Sequence, residues 1–171
     1  MAILPIIKAP DPRLRRVCTP VEEFDNKLRA LMDDMLETMY AAPGVGLAAP
    51  QIGITSRIIV MDVSNDEGKR SPLKIINPKI LESSDTIIKQ EEGCLSFPEQ
   101  YIAVERAETV RVLFRDENNI PQEIKAEGLS SVCIQHEIDH LDGLLFVDRI
   151  SQIKKNMIMR KLKKNKRTYK K

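Results

Sequence analysis

Apolar positions along the chain fall into helical and alternating segments that predict most of the skeleton of the fold. Leu28, Leu31, Met32, Met35, Leu36 and Met39 recur at i, i+3, i+4 and i+7. That spacing predicts an amphipathic helix over 25–41, stopped by Pro43-Gly44. A methionine stripe of this kind is ordinary core filling. Residues 57–63 are short and β-rich, 73–81 form a strand candidate broken by Asn77-Pro78, and 85–90 a further one. Residues 64–71 (SNDEGKRS) read as a surface loop. Residues 109–115 and 122–126 flank DENNIP and predict a β-hairpin. After Gly128 a helix is expected over 129–141, closed by Asp142-Gly143. A last helix over 151–167 would turn a narrow stripe of Ile153, Met157, Ile158 and Leu162 toward the body. Short strands with separated helices predict an α+β fold.

Composition narrows the picture. The 171 residues fit one compact domain. No run approaches the roughly 18 apolar residues that would span a bilayer. Prolines at 5, 10 and 12 stand where a secretory signal would need a basic start and a long apolar stretch. With no export or transit signal and three cysteines, a reducing cytoplasm is the expected compartment. The net charge of +2 hides an asymmetry: residues 1–150 hold all 25 acidic side chains and 17 basic ones, a balance of −8. Residues 151–171 hold ten basic side chains and no acidic one. One domain is expected, with a body over 1–150 and a basic helical extension of the same domain over 151–171. Such an extension seeks a polyanion or is a solvated end.

The densest chemistry is His136-Glu137-Ile138-Asp139-His140, an HExxH string. Four residues advance a helix by about 400°, so both imidazoles lie on one face and can grip one ion, with Glu137 beside them. The bland alternative, an exposed polar face, fits poorly with Leu129, Val132, Cys133, Leu141 and Leu144 around the string. Polar groups on a buried helix need partners, and an ion with its water supplies them. These are the only two histidines, and the carboxylates after His140, Asp142 and Asp148, are badly placed. A third ligand therefore comes from upstream, as a cysteine or a carboxylate. Spacing does not choose among Cys18, Cys94 and Cys133, although Gly93 would let the Cys94 backbone approach closely.

Three segments together resemble one family. GVGLAAPQ (44–51), EGCLS (92–96) and QHEIDH (135–140) are similar, in order and spacing, to the signature motifs of the peptide deformylases, and the likeness extends over essentially the whole chain. The resemblance implies antiparallel sheets surrounding a central HExxH-bearing helix, with an N-terminal helix and a helical C-terminus. It implies that Cys94, His136 and His140 bind one divalent ion, naturally Fe²⁺, although Zn²⁺, Ni²⁺ or Co²⁺ suit the same donors. It implies that Glu137 moves protons and that the Gln51 side-chain amide and the Leu95 N–H stabilise an oxyanion, each donor lowering the barrier by about 3 kcal/mol. Val45, Gly46, Val132 and Cys133 would border the methionine pocket. The reaction implied is removal of formyl from the N-formylmethionine of nascent chains, releasing formate, with the ribosome a partner for the basic helix.

The glycine-rich motif could suggest a phosphate loop, but it lacks the Lys-Ser/Thr of one and precedes a strand. The chain departs from many bacterial relatives at Tyr101, where they carry an arginine that helps hold the substrate backbone, so longer peptides would be held differently. Two other classes stay in play. One is a small HExxH peptidase cutting internal bonds. The other is a ribosome- or RNA-binding protein with a structural ion, in which Glu137 would have no role.

Overall fold

The structure, a computed structural model, describes residues 1–64 and 68–168, so part of the expected loop over 64–71 and the last three residues lie outside it. Helix α1 spans Asn26–Ala41, its first turn capped by the Asp25 carboxylate, which accepts from Leu28 N–H at 2.9 Å. Its stripe of Leu28, Met32, Met35, Leu36 and Met39 is buried against Leu47, Ile58, Val60 and Ile76.

Among the described residues seven strands follow: β1 Gly46–Ala48, β2 Ile58–Met61, β3 Leu73–Ser83, β4 Ile87–Cys94, β5 Phe97–Ala107, β6 Thr109–Arg115 and β7 Pro121–Glu127. They form a five-stranded sheet ordered β1-β2-β3-β6-β7 and a two-stranded sheet β4-β5. Every pairing among these strands is antiparallel. With helices α1, α2 (Leu129–Leu141) and α3 (Gln152–Thr168), the class is α+β. The β6–β7 hairpin pairs Thr109 with Glu127 through Arg115 with Pro121 around the expected loop.

Three expectations are corrected. Asn77-Pro78 does not break β3: Asn77 takes φ 51° and the register shifts between Ile76 and Lys79. The strand survives as a bulge because the Asn77 side chain replaces the lost ladder, bonding Val21 N–H at 2.8 Å and Val21 C=O at 3.0 Å. The candidate at 85–90 runs on to Cys94 and pairs with β5, which local alternation does not announce. On α3, Ile153 is 74% and Met157 54% exposed, whereas Leu162 is buried with Ile158 and Met159 beside it. The docking face is thus rotated from the expected stripe, because the cluster receiving it (Ala9, Leu14, Phe97, Val147) meets only the later turns.

Helix α2 separates two environments. Ile134, Ile138 and Leu141 pack on the five-stranded sheet with Ile59, Ile75, Val112 and Ala126. The face bearing the imidazoles turns to the β4–β5 hairpin and to Phe146, whose ring meets that of His136 at 5.5 Å.

Candidate metal centre

The thiol of Cys94 ends β4, and His136 and His140 stand one turn apart on α2, their rings 5.0 Å between centroids. One ligand atom from each lies within 4.8 Å of the others, and Cys94 Sγ is 3.4 Å from His140 Nε2. A tetrahedral ion with ordinary metal–sulphur and metal–nitrogen bonds sets such atoms about 3.5 Å apart. Burial alone would lower His136, but Cys94 and Glu92 push its pKa up; burial and the neighbouring imidazole push His140 down. His140 thus stays neutral with a lone pair to offer. Cys18 is buried elsewhere, in the core on the sheet, and its thiol is pushed up to about 11, chiefly by burial.

Glu137 is buried, and its Oε2 has no hydrogen-bond partner. Burial pushes its carboxyl up to about 7, against the opposing pull of His136. A buried carboxyl with an unmet oxygen beside a thiol and two imidazoles fits a site built for an ion and a reacting water. Gly46 closes in from β1: a Cβ there would lie 2.6 Å from Glu137 Oε1 and 2.9 Å from Cys133 Sγ.

Gln51 sits on a short 3-10 turn, Ala49–Ile52. Its Oε1 accepts from Ala48 N–H at 2.9 Å, which turns the amide nitrogen toward Ser96 Oγ at 3.1 Å and Cys94 Sγ at 3.7 Å. A cavity of about 480 Å³ opens beside these groups, lined by Val45, Gly46, Leu95, Val132, Cys133 and Glu137 among others. All four residues expected in the methionine pocket therefore border one cavity. Tyr101, 71% exposed, lies at its mouth with the ring over Gly93.

Sequence reasoning missed the charges behind His136. Glu92 Oε1 lies 2.8 Å from His136 Nδ1, and the same carboxylate takes two bonds from Arg106 at 2.9 Å each. Arg106 also donates to Asp139 at 2.6 Å, and Arg149 donates to Asp139 at 2.7 Å. Burial would raise the Glu92 carboxyl, but His136 and Arg106 overcome it and hold it low. The signal was present: on β5, Ile102, Val104 and Arg106 share the inward phase, and a charge in that phase needs a buried partner.

The polypeptide deformylase family profile matches residues 3–156. The chain belongs to the peptide deformylase family. It is an enzyme of that class. A peptide deformylase of Alkalilimnicola ehrlichii is 55% identical over 164 residues, covering 96% of this chain and 91% of the relative. One from Rhizobium meliloti is 50% identical over 168 residues, covering 98% and 97%. The crystal structure of the Legionella pneumophila enzyme superposes with a TM-score of 0.90 at 48% identity, covering 99% of both chains. That of Ehrlichia chaffeensis in complex with actinonin gives 0.91 at 41%, covering 98% of this chain and 99% of that one.

Proposed function

We propose that this deformylase is a metal-dependent hydrolase that removes the formyl group from N-formylmethionine of nascent polypeptides and releases formate. One observation carries the reading: a thiol and two imidazoles converge beside a buried carboxyl whose second oxygen has no partner, at the wall of a peptide-sized cavity. In this reading Cys94, His136 and His140 hold the ion, on an HExxH helix central to the fold. Fe²⁺ is the natural choice by family resemblance, and Zn²⁺, Ni²⁺ or Co²⁺ suit the same donors. Such an ion, when bound, makes water a better nucleophile near neutral pH.

The protein does the rest. Glu137, with its carboxyl near 7, takes a proton from the attacking water and later gives it to the departing amine. The Gln51 amide nitrogen, aimed by Ala48, and the Leu95 N–H donate to the oxygen that gains charge. Strand β1 is an edge strand, so a substrate peptide can lie along Val45-Gly46 with its methionine toward Val132 and Cys133. The close approach of Gly46 to Glu137 leaves room for a carbonyl carbon bearing only hydrogen and disfavours bulkier acyl groups.

The test pairs metal analysis of anaerobically purified protein with a formate assay on formyl-Met-Ala. Formate release at one ion per chain supports the reading; cleavage of internal peptide bonds without formate sinks it. Glu137→Gln should keep the ion and lower kcat about 10³-fold. A variant with full activity would instead favour a structural ion.

We further read residues 1–150 as the catalytic domain and 151–171 as its basic extension, working in the cytoplasm. Lys154, Arg160, Lys161, Lys163 and Lys166 are exposed on α3, which supports contact with ribosomal RNA. Removing 152–171 should abolish a steeply salt-dependent affinity for ribosomes; unchanged affinity would refute the contact. Among the described residues no helix is long and apolar enough to cross a membrane.

A further inference from the structure

The chain entering the fold touches both halves of the oxyanion machinery through three successive residues. Ile7 N–H donates to Gln51 C=O at 2.7 Å, Lys8 Nζ to Leu95 C=O at 2.8 Å, and Ala9 N–H to Ser96 C=O at 2.8 Å. Leu95 and Ser96 are the two residues connecting β4 to β5, between the paired Cys94 and Phe97. Two-residue connections of this kind normally need Gly, Asn or Asp at positive φ. Neither Leu95 nor Ser96 has such a φ, and the register slips immediately before Cys94. The turn therefore lacks the residues that usually set such a connection, and both its carbonyls are bonded from outside it. Lys8 holds the first, on the central peptide of the turn, and Ala9 holds the second.

We propose that Ile7–Ala9 is a brace that sets the two oxyanion donors relative to each other, with Lys8 a positioning residue for the reaction. The inference rests on the functional reading above. Ile7 and Ala9 are two residues apart, so the two N–H groups that reach Gln51 and Ser96 lie at most about 7 Å from each other. Ser96 Oγ, accepting from the Gln51 amide nitrogen, closes the loop from the other side. Lys8 is exposed and lines the cavity, so its ammonium can be removed without opening the core.

The experiment compares Lys8→Met, which keeps the stem and loses the donor, with Lys8→Arg, which keeps a donor. For Lys8→Met we expect kcat on formyl-Met-Ala to fall about five- to tenfold, with KM within about twofold and thermal midpoint and metal content unchanged. The amide resonances of Leu95 and Ser96 should shift or broaden as the turn loosens, and Lys8→Arg should recover most of both losses. Unchanged kcat with unchanged Leu95 and Ser96 resonances overturns the brace. A rise in KM alone also overturns it, since Lys8 would then be a substrate contact. If the unmodified enzyme released no formate, the functional reading would fail, while the resonances would still decide whether Lys8 holds the turn.

Discussion

Helices α2 and α3 are of comparable length and opposite in nature. Ten of the thirteen residues of α2 are buried, four of them polar or charged groups of the HEIDH string. Among the described side chains of α3, Leu162 alone is buried. Two of the buried groups on α2 are answered from other elements: His136 by Glu92 of β4, and Asp139 by Arg106 of β5 and Arg149 beyond the helix. The charges on α3 mostly face water, and its base is tied down by Asp148, which takes Lys155 at 2.6 Å, Arg15 and Leu145 N–H. Ion pairs thus serve two ends here. Inside, they hold the His136 ring in one orientation; outside, they fasten a helix that water already satisfies.

Loss of Arg106 should have the largest effect on α2. Arg106→Ala leaves Glu92 buried without its cation and Asp139 with Arg149 alone, and should cost about 3–5 kcal/mol in urea unfolding. The ring of His136 would lose its brace, so metal affinity should drop about 10- to 100-fold as well. A loss below about 1 kcal/mol would mean that the network is dispensable. Next, Leu162→Ala truncates the one buried side chain among those described on α3 and should cost about 2 kcal/mol. Amide exchange should speed up along α3 while formate release persists; loss of turnover would instead tie the helix to the site.

Acid should sharpen the contrast least. Burial would raise Asp148, but Arg15 and Lys155 hold its carboxyl at about 2, below the ordinary 3.8. Because the folded value is the lower one, the stabilisation is complete above about pH 4 and fades as pH falls toward 2. Solvent screening limits it to about 1 kcal/mol. Asp148→Asn should be less stable than the parent at pH 6 and equal to it near pH 2; a constant difference across that range would rule the linkage out.

Periodicity made α1, α2 and the β6–β7 hairpin legible, since each declares itself within a dozen residues. Strand β5 was harder to read, because Pro98 and the positive-φ Glu99 interrupt the alternation and its partner is set by the hairpin register. The imidazole pair was legible for the same local reason, one helical turn in one string. The choice of sulphur was not local: Cys94 and His140 are 46 residues apart, and residue logic by itself left three cysteines open.

The order of residues alone therefore determined the helices, the hairpin, the HExxH face and the charge split between body and tail, because each is a property of near neighbours along the chain. Only the tertiary structure decided which thiol meets the imidazoles, how Glu92, Arg106 and Asp139 neutralise one another, which turns of α3 dock, and that Lys8 reaches Leu95 across 87 residues. Those pairings stabilise only when distant segments are already packed together and shielded from water, so no local pattern encodes them.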